Sequence, residues 1–167
     1  MRIVLGLGGN LGDVSAAFAA TLAALCGEFG TVRASSLWSS APIGPPQRDF
    51  LNAAVLLGID VHPLRLLAFT RSLEAAAGRD RTSEAHWGPR VLDVDLLLAD
   101  DIVIEGPELT LPHPRLHERR FALLPAAELA ADWIHPRLQR SLAELATAIA
   151  PTTQPCRRLG SFPGIQD

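Results

Sequence analysis

The most constraining feature of the sequence is a pair of aspartates, Asp93 and Asp95, inside the otherwise apolar run of residues 91–98. Residues two apart in a β-strand point to the same face, so both carboxylates project together. The alternate residues Leu92, Val94 and Leu96 then face a core. Two adjacent carboxylates repel each other, and burial raises the cost of each charge. The strand therefore requires a cation beside it.

Two kinds of cation satisfy this requirement. Magnesium characteristically binds one or two carboxylates together with phosphate oxygens, which predicts a metal site at Asp93 and Asp95. Arginines at an exposed sheet edge would neutralise the same charges without any metal. An Asp-x-Asp pattern is short and common, so the pattern alone leaves both interpretations open.

The hydrophobic pattern of the first hundred residues predicts the order β-α-β-β-α-β. Four strands are expected at residues 3–7, 31–40, 50–59 and 91–98. A first helix is expected from Asp13 or Ser15 to near Gly27, and a second from Pro63 to about Ala77. This order is typical of a ferredoxin-like α+β sandwich, with helices flanking a mainly antiparallel sheet. The length predicts a single domain over residues 1–150.

The remaining segments are expected to be mostly loops and short elements. Residues 41–49 and 78–90 are rich in proline, glycine or charge and predict two long exposed loops, which in compact domains are usually functional. A short strand at 102–104 is expected to partner the acidic strand, followed by a loop over 107–114. Further helices are expected at 119–129 and 138–149. The tail, residues 151–167, is predicted to be loosely packed or disordered.

The amino-acid composition excludes several kinds of catalytic and anion-binding group. All fifteen basic residues are arginine, and the chain has no lysine and no tyrosine. This excludes a Schiff-base lysine, a P-loop lysine and a tyrosine acid or base, so an anion site must use arginine, histidine and backbone N–H groups. The net charge of -3 argues against a nucleic-acid surface, and no apolar run reaches membrane-spanning length. Cys26 and Cys156 form no Cys-x-x-Cys pair, which favours a reduced, cytoplasmic setting.

An arginine-rich segment directly precedes the acidic strand. Arg79, Arg81 and Arg90 carry forked donors suited to phosphate, and Trp87 adds a large ring beside a Gly-Pro turn. Carboxylates on one side and guanidinium groups on the other suit the transfer of a phosphate-containing group. Taken alone, Arg79 and Arg81 are more typical of a solvated polar loop than of a phosphate site, whereas Pro89 fixes Arg90 close to Asp93.

Two other motifs have simpler interpretations. His113 lies between two prolines and could hydrogen-bond a phosphate oxygen, whereas His117 has no third metal ligand nearby and is interpreted as a non-ligand. The glycine run over residues 6–12 lacks the spacing of a dinucleotide fingerprint. We expect it to permit a tight turn and close backbone packing.

Six motifs stand in order along the chain: Gly8-Gly-Asn-Leu-Gly-Asp13, Ala41-Pro-Ile-Gly44, Phe50-Leu-Asn52, Trp87-Gly-Pro-Arg90, Asp93-Val-Asp95 and Leu111-Pro-His-Pro114. Together they resemble the 6-hydroxymethyl-7,8-dihydropterin pyrophosphokinase family of folate biosynthesis. The resemblance extends to about Pro136 and implies transfer of the β,γ-pyrophosphate of ATP to the pterin alcohol, giving AMP. A metal-dependent phosphohydrolase or nucleotidyltransferase, and a non-catalytic pterin-binding protein, remain as alternatives.

The resemblance also implies roles for particular residues. The catalytic residues would be Arg79, Arg90, Asp93 and Asp95, with the two aspartates binding two Mg²⁺ ions. The ATP contacts would be Arg71, Glu74, Arg81, Trp87, Thr110, His113 and Arg119. The pterin slot would be formed by Ser40, Ala41, Ile43, Phe50, Asn52 and Phe121, with the two phenylalanines stacking on the ring. The expected protein is a cytoplasmic monomer whose partners are these small molecules, with no nucleic acid and no membrane.

Overall fold

The computed structural model describes residues 1–79 and 88–163. The elements in the first part of the chain are β1 (Arg2–Gly9), α1 (Val14–Phe29), β2 (Val32–Ala34), β3 (Leu37–Ser40), β4 (Phe50–Gly58), α2 (Pro63–Ala76) and β5 (Asp93–Ala99). Those that follow are β6 (Ile104–Glu105), β7 (Thr110–Leu111), a 3₁₀ turn (Leu116–Glu118), α3 (Arg120–Ala130), β8 (Ile134–His135), β9 (Arg140–Ser141), α4 (Leu142–Ala148) and β10 (Cys156–Gly160).

One antiparallel sheet organises the fold. Its strands follow the order β10-β3-β4-β1-β5, and β2 also pairs with β4. Apolar side chains of α1 and α2 pack on one face of the sheet, and those of α3 and α4 pack on the other. The predicted α+β fold with helices flanking a mainly antiparallel sheet is therefore confirmed. The predicted order β-α-β-β-α-β holds when β2 and β3 are counted as one interrupted strand.

The glycine run at the end of β1 allows the close packing expected from the sequence. A Cβ atom on Gly9 would lie 2.5 Å from the carbonyl oxygen of Val91, which is closer than real Cβ atoms approach. Gly12 has a φ of 68°, a conformation that glycine adopts without strain. These two positions bring the first loop directly against the segment that leads into β5.

Two strand predictions were wrong in detail. The single strand expected over 31–40 is split into β2 and β3, because the Ser35 hydroxyl accepts the hydrogen bond of the Ala54 N–H (2.9 Å) where a backbone carbonyl would otherwise pair. The strand expected beside β5 at 102–104 instead occurs at Ile104–Glu105 and pairs with Thr110–Leu111. A turn closed by the Gly106 N–H and the Leu109 carbonyl (3.0 Å) folds that segment back on itself.

The end of the chain differs most from expectation. The helix predicted from residue 138 begins at Leu142, after the small β8–β9 hairpin, where Ser141 and Glu144 form a capping box. The tail predicted to be loose is ordered over 156–160, because β10 pairs with the backbone groups that β3 would otherwise leave unpaired. Phe162 is buried and stacks on Phe18 at 6.0 Å.

Across the described ranges, none of the helices has the length and apolar character needed to cross a bilayer.

Candidate active site

A cavity of about 130 Å³ opens between the sheet and the beginning of α3. Its floor is set by strand register, since Asn52, Gly8 and Asp93 are cross-strand neighbours on β4, β1 and β5. Gly6 is likewise the neighbour of Asp95. Because Gly8 has no side chain, the space between the Asn52 amide and the Asp93 carboxylate stays open to a ligand, whereas the Leu97 side chain packs over Gly6.

The predicted placement of the two aspartates on one face of β5 is confirmed. Arg90 Nη1 lies 2.8 Å from Asp93 Oδ2, and Arg79 Nη1 bonds the other oxygen. Burial raises the pKa of Asp93, but the two guanidinium groups together lower it to below the usual value. Asp93 is therefore ionised at neutral pH.

Asp95 is in a different electrostatic environment. Its side chain is 37% exposed and its Oδ2 lies 3.2 Å from Arg119 Nη1. Burial and the neighbouring charge of Asp93 raise the pKa of Asp95 to about 6, although Arg119, Arg79 and Arg90 oppose the shift. The ionised form of Asp95 is therefore disfavoured in this position, because the nearby arginines do not fully offset burial and the charge of Asp93, and an added cation would stabilise it.

His113 approaches the same carboxylate as a neutral ring. Burial and the charge of Arg119 lower the pKa of His113 to about 4. Its Nδ1 accepts the backbone N–H of Arg115 (3.1 Å), so the ring hydrogen resides on Nε2, which lies 3.8 Å from Asp95 Oδ2. The ring presents a hydrogen-bond donor to the site at neutral pH.

A buried ion pair anchors the arginine segment to β5. Arg79 and Glu74 have side chains only 5% and 2% exposed, and Arg79 Nη1 lies 2.6 Å from Glu74 Oε1. The same Oε1 accepts the Val94 N–H at 2.9 Å. The prediction that the loop is exposed is therefore wrong for Arg79, because two carboxylates draw its side chain inward.

The six residues of the predicted pterin slot all line this cavity: Ser40, Ala41, Ile43, Phe50, Asn52 and Phe121. The amide nitrogen of Asn52 donates to the Ser40 hydroxyl (2.9 Å) and to the Phe50 carbonyl (3.4 Å). Both amide hydrogens are thereby used, which leaves the amide oxygen to accept a donor from a ligand.

Other predicted ATP contacts are not brought into the cavity lining. Arg71 is exposed on α2, and Thr110 is half-buried on β7. Arg81 and Trp87 lie outside the described residues. Glu74 is buried and contacts Arg79 and the Val94 N–H of β5.

Sequence reasoning missed Asn10 and Arg115. The side chain of Asn10 accepts the Arg90 N–H (2.9 Å) and donates to Gln47 Oε1 (2.9 Å) and the Arg48 carbonyl (3.0 Å), so it ties three segments together. Its place directly after two glycines was the available signal. Arg115 lines the cavity and carries no sequence signal beyond its charge.

The sheet, the paired carboxylates with their arginines and the adjoining aromatic slot define an enzyme that transfers phosphate groups. The family model described as 7,8-dihydro-6-hydroxymethylpterin-pyrophosphokinase (HPPK) matches residues 4–131. The chain belongs to this family.

Individual relatives agree with this assignment. A 2-amino-4-hydroxy-6-hydroxymethyldihydropteridine pyrophosphokinase of Synechocystis is 40% identical over 144 residues, covering 85% of this chain and 73% of the relative. The protein of the same name from Methylorubrum extorquens is 40% identical over 136 residues, covering 80% and 85%. A solved structure of Plasmodium falciparum HPPK-DHPS shares the fold, with a TM-score of 0.67 and 14% identity. That match covers 88% of this chain and 45% of the solved chain.

Proposed function

We propose that the protein transfers the β,γ-pyrophosphate of ATP to the hydroxymethyl group of 6-hydroxymethyl-7,8-dihydropterin, giving the pterin diphosphate and AMP in folate biosynthesis. The observation that carries this proposal is the shared cavity: the aromatic slot and the carboxylate–arginine cluster lie on the same floor. An acceptor bound in the slot is therefore next to the groups that would handle a triphosphate. Membership of the pyrophosphokinase family supports the same reaction.

The slot suits a flat heterocycle that carries N–H donors. Phe50 and Phe121 contribute aromatic rings to the lining, and the Asn52 amide oxygen is an acceptor beside them. When the slot holds the acceptor next to the phosphates, the reaction no longer depends on a chance encounter of two molecules in solution. This positioning supplies a large share of the rate acceleration in enzymes of this kind.

We infer that Asp93 and Asp95 would bind two Mg²⁺ ions together with the ATP phosphates. The donor set fits, because both are carboxylates on one strand face and Asp95 has a pKa raised to about 6 by burial and by Asp93. Bound magnesium supplies neutralisation of the triphosphate charge.

The arginines would act on the migrating group. Arg90 and Arg119 line the cavity and bond the two aspartates, and each guanidinium has further N–H donors for phosphate oxygens. Arg79 would add charge from its buried position. His113 would donate from Nε2 rather than accept a proton, since its pKa is lowered to about 4. Arg71, Glu74, Arg81, Trp87 and Thr110 remain proposed ATP contacts.

We further propose that the protein works as a cytoplasmic monomer. One chain already supplies the aromatic slot, both aspartates and the arginines Arg90 and Arg119 that the proposed reaction uses. Both cysteines are free thiols, which suits a reducing compartment.

The proposal is tested by incubating the protein with ATP, Mg²⁺ and the hydroxymethylpterin and identifying the nucleotide product by chromatography. Pterin-dependent AMP supports the proposal. Formation of ADP or free phosphate would favour a phosphohydrolase, and pterin binding without turnover would favour a non-catalytic binding protein.

Asp95→Ala tests the assigned site within the same assay. The variant should lose roughly a hundredfold to a thousandfold in turnover, the scale for removing a preorganised electrostatic group, while retaining pterin binding. Ser141→Ala, at the distant cap of α4, is the matched control. Turnover by Asp95→Ala equal to that of the control would refute the metal-binding role.

A further inference from the structure

The side chain of Gln154 spans the backbone on both sides of Arg119. Its Nε2 donates to the carbonyl oxygen of Glu118 (2.6 Å), and its Oε1 accepts the N–H of Arg120 (2.8 Å). Those two groups belong to the peptide planes before and after Arg119. One amide therefore restrains both backbone dihedrals of that residue, which are φ −115° and ψ 91°.

The restraint acts at the junction between two helical segments. Arg119 is extended between the 3₁₀ turn and α3, and no side chain of its own caps the helix. The first N–H groups of a helix have no partner within the helix, and Gln154 supplies one from 34 residues away. The Gln154 carbonyl also accepts from Arg120 Nη1 at 3.3 Å.

The restrained segment carries two walls of the cavity. Arg119 reaches Asp95 at 3.2 Å, and its guanidinium carbon lies 5.9 Å from the ring centre of Phe121. A change in the backbone dihedrals of Arg119 would move the guanidinium group and the aromatic wall together.

The same C-terminal segment also holds the opposite wall. Two residues after Gln154, Cys156 pairs in register with Ser40, whose hydroxyl accepts from Asn52. Residues 154–156 thus connect the β3 side of the slot with the α3 side. They lie beyond the 4–131 range that the family model matches.

We propose that Gln154 is a positioning residue for the active site: it holds Arg119 and Phe121 in the geometry that the pterin slot and Asp95 require. The kinetic part of this inference rests on the proposed function. The structural part does not, because it concerns contacts within the protein.

The test compares Gln154→Ala with Ser141→Ala, which removes the α4 capping box without touching the cavity. Gln154→Ala should raise the KM for the pterin by roughly fivefold to tenfold, the scale of one or two lost hydrogen bonds, whereas Ser141→Ala should leave it unchanged. Gln154→Glu keeps the acceptor for the Arg120 N–H but loses the donor to Glu118, so it should recover part of the effect. A purely structural role would lower thermal stability in both alanine variants and change neither KM.

Amide hydrogen exchange provides a readout that is independent of turnover. The Arg120 amide should exchange roughly tenfold faster in Gln154→Ala than in the parent protein and retain protection in Gln154→Glu. If the parent protein shows no turnover, the proposed function fails, but the exchange result still tests whether Gln154 restrains the backbone on both sides of Arg119. Unchanged exchange at Arg120, or an equal change of KM in Ser141→Ala, overturns the inference.

Discussion

Substituting Glu74 by alanine tests the interpretation of the buried ion pair that anchors the site. Glu74 Oε1 accepts both a guanidinium hydrogen of Arg79 (2.6 Å) and the Val94 N–H (2.9 Å). In Glu74→Ala the buried Val94 N–H loses this partner. The Arg79 guanidinium group keeps its contacts with Asp93 and the Leu92 carbonyl.

The expected loss of stability is large. Breaking a buried ion pair by removing one partner costs about 3–5 kcal/mol, part of which is the unsatisfied backbone N–H at about 1–3 kcal/mol. Against a total stability of about 5–15 kcal/mol, this corresponds to a melting temperature lower by roughly 6–20 °C for a chain of this size.

The assay is thermal and urea unfolding of the protein without ligands. Glu105→Ala is the matched control, because Glu105 also pairs with an arginine, Arg137, but its side chain is 68% exposed. A surface pair of that kind contributes about 0.2–1 kcal/mol. Glu74→Gln retains an acceptor for the Val94 N–H, so its melting temperature should fall between those of Glu74→Ala and Glu105→Ala. This variant also keeps the test possible if Glu74→Ala does not fold.

The reasoning is refuted if Glu74→Ala and Glu105→Ala unfold at the same temperature. It is also refuted if Glu74→Gln loses as much stability as Glu74→Ala, since the buried N–H would then contribute nothing.

Three further predictions follow from the site. Asp95→Asn should raise the melting temperature at pH 7 in a chelator, because the pKa of Asp95, raised to about 6 by burial and Asp93, makes its charge unfavourable in the folded state. The gain should shrink as pH falls from about 6 to about 4, because the folded protein then binds a proton at Asp95 while the unfolded chain does not; an equal gain at pH 7 and pH 4 contradicts the assignment. Phe50→Ala should raise the pterin KM about tenfold with the ATP KM unchanged, since one stacking face is lost, and equal shifts in both constants would argue against the slot. Arg90→Lys should lower kcat by about tenfold to a hundredfold in steady-state assays, because an ammonium group cannot bridge Asp93 and phosphate with a planar fork; an unaffected kcat rules out that role.

Local pattern was sufficient to predict the carboxylate pair and the strand that carries it. The alternation around Asp93 and Asp95 has the period of a strand, and the structure places both side chains on the cavity face. The order of strands and helices over the first hundred residues follows from the same kind of information, because each element has its own periodicity and its own breaks.

Features that depend on contacts distant in sequence were not predictable in this way. The burial of Arg79 depends on Asp93 of β5, which lies 14 residues further along the chain, as well as on Glu74 of α2 nearby. The tail gains its strand because β3 offers an edge, and the strand residues Cys156–Gly160 have no alternating apolar pattern that would indicate it. Gln154 has no local signal at all, since its partners are 34 and 36 residues away.

In the proposed reaction, the β,γ-pyrophosphate moves as a unit from ATP to the pterin. It is tested most directly with ATP labelled separately at the α and γ phosphorus, using the parent protein, Mg²⁺ and the hydroxymethylpterin. We expect the γ label to appear in the pterin product and the α label to remain in AMP, with equal amounts of the two products. Release of the γ label as inorganic phosphate, or recovery of the α label in ADP, would contradict it.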